Sequence, residues 1–214
     1  IMQINRRTLL AAGAGLVSGA SLPAWAQLRI EITGVGANQM PIAIPQFQGT
    51  NNAPLDLSTV VTADLERSGS FRALKVMGEL PAEDIEKPRA KFWRTMGATA
   101  LVMGTIEKLP DTRYRVDYRL FGTVEDKVID EKRFMVSSGD LRLTAHRIAD
   151  AIYERLTGES GIFASRLAYV LQRGPASYEL VVSDSDGANP QTALKSNQSI
   201  ISPMWSPNGL LLTY

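Results

Sequence analysis

The 214-residue chain is 44% hydrophobic and 21% charged, with 17 glycines and 11 prolines, a globular composition for one or two domains that excludes a disordered tail. Its formal net charge is +1, from 23 basic and 22 acidic residues, which is too balanced for a nucleic-acid surface. Cysteine is absent, and this excludes a disulfide framework, a thiol nucleophile and a cysteine metal site.

The first 26 residues read as an export signal. "NRRTLL" supplies a positive start, residues 9–21 form a short run of apolar and small side chains, and "AWA" offers small residues at the positions a signal peptidase reads. Cleavage between Ala26 and Gln27 is expected, and the run is shorter than the ~20 apolar residues that span a bilayer. Arg6 and Arg7 followed by "TLL" are similar to a twin-arginine signal, with Asn5 and Leu9 departing from the usual residues, so both that route and general secretion stay open. Arg6 and Arg7 are the only charges in this stretch, so its removal takes 23 basic residues to 21 and leaves them facing 22 acids.

After the signal, "LRIEIT" alternates apolar and charged residues as a strand does. "GVGAN" behind it lacks the third glycine and the following helix of a nucleotide loop and reads as a joint. "PIAIPQF" is an apolar strand with prolines at its margins. Residues 55–69 read as a helix: Leu57, Val60, Val61 and Leu65 share a face, Asp56 can cap the start and Gly69 can end it. A shorter helix is expected over residues 89–96, with Pro88 at its first turn and Gly97 beyond its end.

"ATALVMGTIEKL", "RYRVDYRLFG" and "KVIDEKRFMVS" then read as three strands joined by turns at Pro110, Asp111 and Thr112 and at Glu125 and Asp126. A second long helix lies between Asp140 and Gly158, with Leu141, Ala145, Ile148, Ala149, Ile152 and Leu156 on one stripe. The only histidine, His146, falls beside that stripe and reads as a solvated helix residue. The fold class for residues 27–160 is therefore α+β, a mixed or antiparallel sheet with helices packed on one face.

Past Gly161 the helical period vanishes. "RLAYVLQR" is a strand, "SYELVVSDSDGANPQ" a strand running into a turn, and "SPMWSPNGLLLTY" a turn running into a strand. "SDSDG" fails the spacing of a calcium loop, so Asp184, Asp186 and Gly187 are expected in a hairpin turn, and no metal or cofactor is expected. Leu167, Ala168 and Tyr169 recur in form as Leu212, Thr213 and Tyr214, an offset of 45 residues, close to the ~40–45 residues of a propeller blade. Residues 161–214 therefore read as a first blade and the start of a second, and a strand left without a partner at the end predicts further blades beyond it.

"LRIEITG", "PIAIPQF", "ALVMGTI", "RLAYV", "YELVVSDSDGANPQ" and "SPMWSPNG" together resemble the TolB family of the Tol-Pal envelope system, across essentially all of the chain after the signal. The resemblance implies an N-terminal α/β domain followed by a six-bladed propeller whose blades repeat a Trp-Ser-Pro-Asp-Gly turn. Asn208 replaces the Asp here, and Asn-Gly supports a tight hairpin equally well. It also implies a non-enzymatic, monomeric periplasmic adaptor, not inserted in the membrane, that links inner-membrane TolA to outer-membrane Pal and supports envelope integrity and cell division. The Pal docking face would lie mostly in the further blades. The TolA segment would be residues 27–33: Leu28, Ile30 and Ile32 on the buried side, Arg29 and Glu31 setting register, Gln27 and Thr33 at the ends.

Two other classes remain. Propellers with Trp-Ser-Pro turns also gate prolyl-oligopeptidase-like peptidases, but the chain has no Gly-x-Ser-x-Gly, so a catalytic domain would have to lie beyond Tyr214. A propeller-based ligand sensor is the third.

Overall fold

A computed structural model describes residues 39–214. The signal, the strand at residues 27–33 and the joint at residues 34–38 lie outside the described residues.

Five strands form the first sheet: β1 (Met40–Ala43), β2 (Phe71–Leu74), β3 (Ala100–Lys108), β4 (Tyr114–Gly122) and β5 (Lys127–Val136), in the order β2-β1-β3-β4-β5. β1 runs parallel to both neighbours, while β3, β4 and β5, the three strands expected between short polar turns, form an antiparallel meander. β2 was not legible in the sequence, because its four residues carry no period and become a strand only by pairing with β1. Beyond β1 the chain hooks over β3, where Gln48 N–H donates to the Gly104 carbonyl at 2.9 Å and Ile106 N–H returns to Gln48 at 2.7 Å. The hook closes at Gly49, whose φ of 79° lies in the region that glycine adopts without strain.

Helix α1 (Leu57–Arg67) starts where Asp56 accepts from the Ser58 amide at 3.0 Å. Two short helices follow, α2 (Ala82–Glu86) and α3 (Ala90–Thr95), of which only the second has a sequence signal. The long helix α4 (Leu141–Thr157) ends at Gly158, φ 80°, where the chain turns out of the helix.

The expectation that helices cover one face of the sheet is corrected by the packing. α1 and α4 bury Leu57, Val60, Val61, Leu65, Ile148 and Ile152 against Ile42, Val102, Val116 and Leu120. On the opposite face Trp93 and Ala90 of α3 cover Ala43, Leu101, Met103 and Phe121. Strands β1 and β3 are apolar on both sides, as a strand covered twice must be.

The second region is a three-stranded antiparallel sheet of β6 (Arg166–Gly174), β7 (Ser177–Asp184) and β8 (Gln191–Ser196), a partial propeller with no closed barrel. Asp186 and Gly187 do form the hairpin turn, with Gly187 at φ 82° and its N–H on the Asp184 carbonyl at 2.9 Å. The final strand differs from expectation. β10 (Leu212–Thr213) pairs back on β9 (Met204–Trp205), Leu212 opposite Trp205, around a turn at Asn208 and Gly209. Arg166 lies 5.7 Å above the Trp205 ring and ties this hairpin to the start of β6. The described residues belong to a single compact unit.

Candidate functional site

The sequence-expected partner segment, Gln27, Leu28, Arg29, Ile30, Glu31, Ile32 and Thr33, lies outside the described residues. Among the described residues, polar side chains converge where α1 and α4 meet the turn between β7 and β8.

On α1, Asp64 occupies the interior of the apolar stripe, between Val61 and Leu65, and is fully buried. A carboxylate there needs partners. Arg67 supplies one, Nη1 to Oδ1 at 2.9 Å, and His146 supplies the other, Nδ1 to Oδ2 at 2.5 Å. His146 is 1% exposed, which corrects its reading as a solvated residue. Asp64, held also by Arg67, acts as an acceptor, so His146 donates from Nδ1, and in the neutral ring Nε2 keeps the lone pair.

On α4, Arg142, His146 and Asp150 recur at four-residue steps and so form one ridge along the helix. Arg142 and His146 face the β7–β8 turn, and Asp150 faces the segment before β6. Arg142 donates to Asp186, and its Nε lies 3.5 Å from Asp184. His146 Nε2 lies 4.0 Å from Asp186 Oδ2. Asp150 accepts from the amides of Phe163 at 2.6 Å and Ala164 at 3.0 Å, while Phe163 itself is buried in the core of the first sheet.

Asp186 is half-buried, and desolvation pushes its carboxyl up. That effect is outweighed by the hydrogen bond from the Ala188 amide at 2.9 Å and by the hydrogen bond and charge of Arg142, with His146 adding to them. Asp186 therefore sits below the usual aspartate range.

Two buried polar atoms in this cluster make no hydrogen bond, Arg142 Nε and His146 Nε2. Nε2 is the atom that would take a proton from a serine nucleophile, and among the described residues no hydroxyl is bonded to it. Among the described residues the site is thus an Asp-His pair with no hydroxyl bonded to it. His146, Asp184 and Asp186 do offer ligand atoms within 4.8 Å of one another.

Of these residues the sequence reading singled out only His146, Asp184 and Asp186, and those separately. Asp64 had one usable signal, an acid four residues from Val60 and three from Val61 on an apolar helix face.

A mixed-sheet domain whose last long helix is bonded through Arg142 to the first hairpin turns of a partial β-propeller defines the class: a two-part α/β and propeller protein. Residues 28–129 match the family model of the TolB amino-terminal domain, and residues 153–214 match that of the TolB beta propeller domain. The chain belongs to the TolB family. It is 45% identical over 211 residues to the Tol-Pal system protein TolB of a Polaromonas species, covering 99% of this chain and 48% of that protein. The Tol-Pal system protein TolB of Bordetella pertussis is 46% identical over 192 residues, 90% of this chain and 43% of that protein. The chain thus spans about half the length of the curated relatives it matches. The crystal structure of TolB from Acinetobacter baumannii superposes with a TM-score of 0.71 at 33% identity, covering 81% of this chain and 43% of that one. Neither matched family is catalytic, and the peptidase alternative finds no support in them.

Proposed function

We propose that the protein is a periplasmic adaptor of the Tol-Pal system, linking inner-membrane TolA to outer-membrane Pal and so supporting envelope integrity and cell division. The observation that carries this reading is the match to both TolB domains along one chain, at 45% identity over 211 residues. The ridge on α4 adds a physical reason. Arg142 ties α4 to Asp186 of the first blade, and Asp150 fixes the segment that leads into β6 through the amides of Phe163 and Ala164.

Residues 27–33 are the proposed TolA segment. An alternating strand close to a free N-terminus, left after signal cleavage, can add to the sheet edge of a partner, main-chain bonds giving affinity and Leu28, Ile30 and Ile32 giving specificity. Deleting residues 27–33 should abolish TolA binding in calorimetry and leave the circular dichroism of the α/β domain largely unchanged. Ile30→Asp should weaken binding by ~2 kcal/mol or more, since a buried carboxylate would find no partner there. A deletion variant that bound TolA as tightly as the parent would move the partner site to the α/β body.

A further inference from the structure

We propose that the side-chain cluster between α4 and the β7–β8 turn binds a divalent transition-metal ion, with His146 Nε2, Asp184 and Asp186 as ligands. Their ligand atoms lie within 4.8 Å of one another. The decisive observation is His146: its side chain is 2% exposed, yet Nε2 makes no hydrogen bond and faces Asp186 Oδ2 across 4.0 Å. That gap is too long for a hydrogen bond. Two atoms each about 2.1 Å from a shared zinc ion can be up to about 4.2 Å apart, and a contraction of roughly half an ångström brings this pair to tetrahedral spacing.

The other ring nitrogen is already committed to Asp64, at 2.5 Å. A carboxylate on Nδ1–H is the arrangement that fixes a metal-binding histidine with Nε2 turned toward the ion. Arg67 holds Asp64 from the other side, so this support is itself anchored.

Charge decides what Arg142 does. It now stands as the cation of the cluster, bonded to Asp186 and 3.5 Å from Asp184. Its Nε is buried without a hydrogen bond, while the side chain as a whole is 26% exposed and has a path to solvent. When Arg142 withdraws, Asp64, Asp184 and Asp186 face Arg67 alone. Two net negative charges remain, and a divalent ion cancels them. One imidazole and two carboxylates suit zinc or a neighbouring first-row ion better than calcium or magnesium, which take all-oxygen shells. Because His146 stands on α4 and both aspartates on the blade, the bound ion pins the two parts of the protein together.

The test is a zinc titration of the full chain without a histidine tag, followed by calorimetry and by the NMR signals of His146, the only histidine. One ion should bind per chain, shift the His146 ring signals and raise the unfolding temperature with zinc concentration. Asp186→Asn, or Asp184→Asn in the more exposed turn should the first fold poorly, should weaken binding at least ~10-fold, and Asp64→Asn by roughly 10- to 100-fold. Arg142→Gln should tighten binding, because the competing cation is gone. His146 signals unmoved by zinc, equal binding in both turn variants, or no tightening in Arg142→Gln each overturn the proposal. Ring signals that answer to pH but not to zinc overturn it too, and make His146 a protonated clasp.

Discussion

His146 Nδ1 lies 2.5 Å from Asp64 Oδ2, joining α4 to α1 between residues 82 positions apart in the chain. Both side chains are buried, so neither can turn to water when the other is removed. Asp64→Ala should therefore destabilise the protein by ~3 kcal/mol, measured as a lowered urea midpoint with an unchanged slope. A loss as small as that of a surface substitution would mean that Arg67 and His146 find other partners.

Tyr118 carries a pH dependence whose sign can be worked out. Burial pushes its phenol above the ordinary value of 10.0, and the hydrogen bond to Asp130 and that carboxylate's charge push it further, with Arg155 acting the other way. The folded value exceeds the unfolded one, so the unfolded chain gives up this proton first. The stabilisation is complete below pH 10.0 and is lost as the pH rises above it. Tyr118→Phe should cost stability at neutral pH, and the gap from the parent should narrow in urea titrations well above pH 10.0. A gap that stayed constant would show that the phenol ionises alike in both states.

Gly49 allows the hook over β3. A Cβ placed on it would meet the Ile106 carbonyl oxygen at 2.1 Å, and its φ of 79° disfavours any side chain. Gly49→Ala should cost ~2 kcal/mol or more, read from the thermal midpoint, because backbone must move on both counts. An unchanged midpoint would mean that the hook is dispensable to the core.

The core of the first sheet takes in Phe163, three residues past the expected boundary at residue 160. Phe163 packs edge-on to Tyr153 at 5.8 Å between ring centres, and Asp150 holds the amides of Phe163 and Ala164. We therefore propose a boundary after Ser165. A chain cut there should be more stable than one cut after Ser160 by ~3 kcal/mol, the scale of removing a buried phenylalanine. Equal unfolding temperatures for the two would restore the earlier boundary.

Local period and punctuation determined much of this fold without any tertiary information. α1 and α4 follow from apolar residues three and four apart, with Gly69 and Gly158 at positive φ near their ends, and β3 to β5 follow from strand-forming runs between short polar turns. The Asp186-Gly187 hairpin followed from turn chemistry alone. Each of these depends only on neighbours in the chain. What stayed illegible depends on residues far apart. β2 exists because β1 lies beside it, α3 covers the second sheet face because β1 and β3 are apolar on both sides, and β10 is paired because β9 turns back to it. The polar joint is the clearest case. His146 falls beside an apolar stripe in any helical projection, and only the arrival of Asp64 from α1 and Asp186 from the blade decides that this edge of the helix is buried. Burial is a property of what packs on a surface, and the sequence around His146 holds none of those partners.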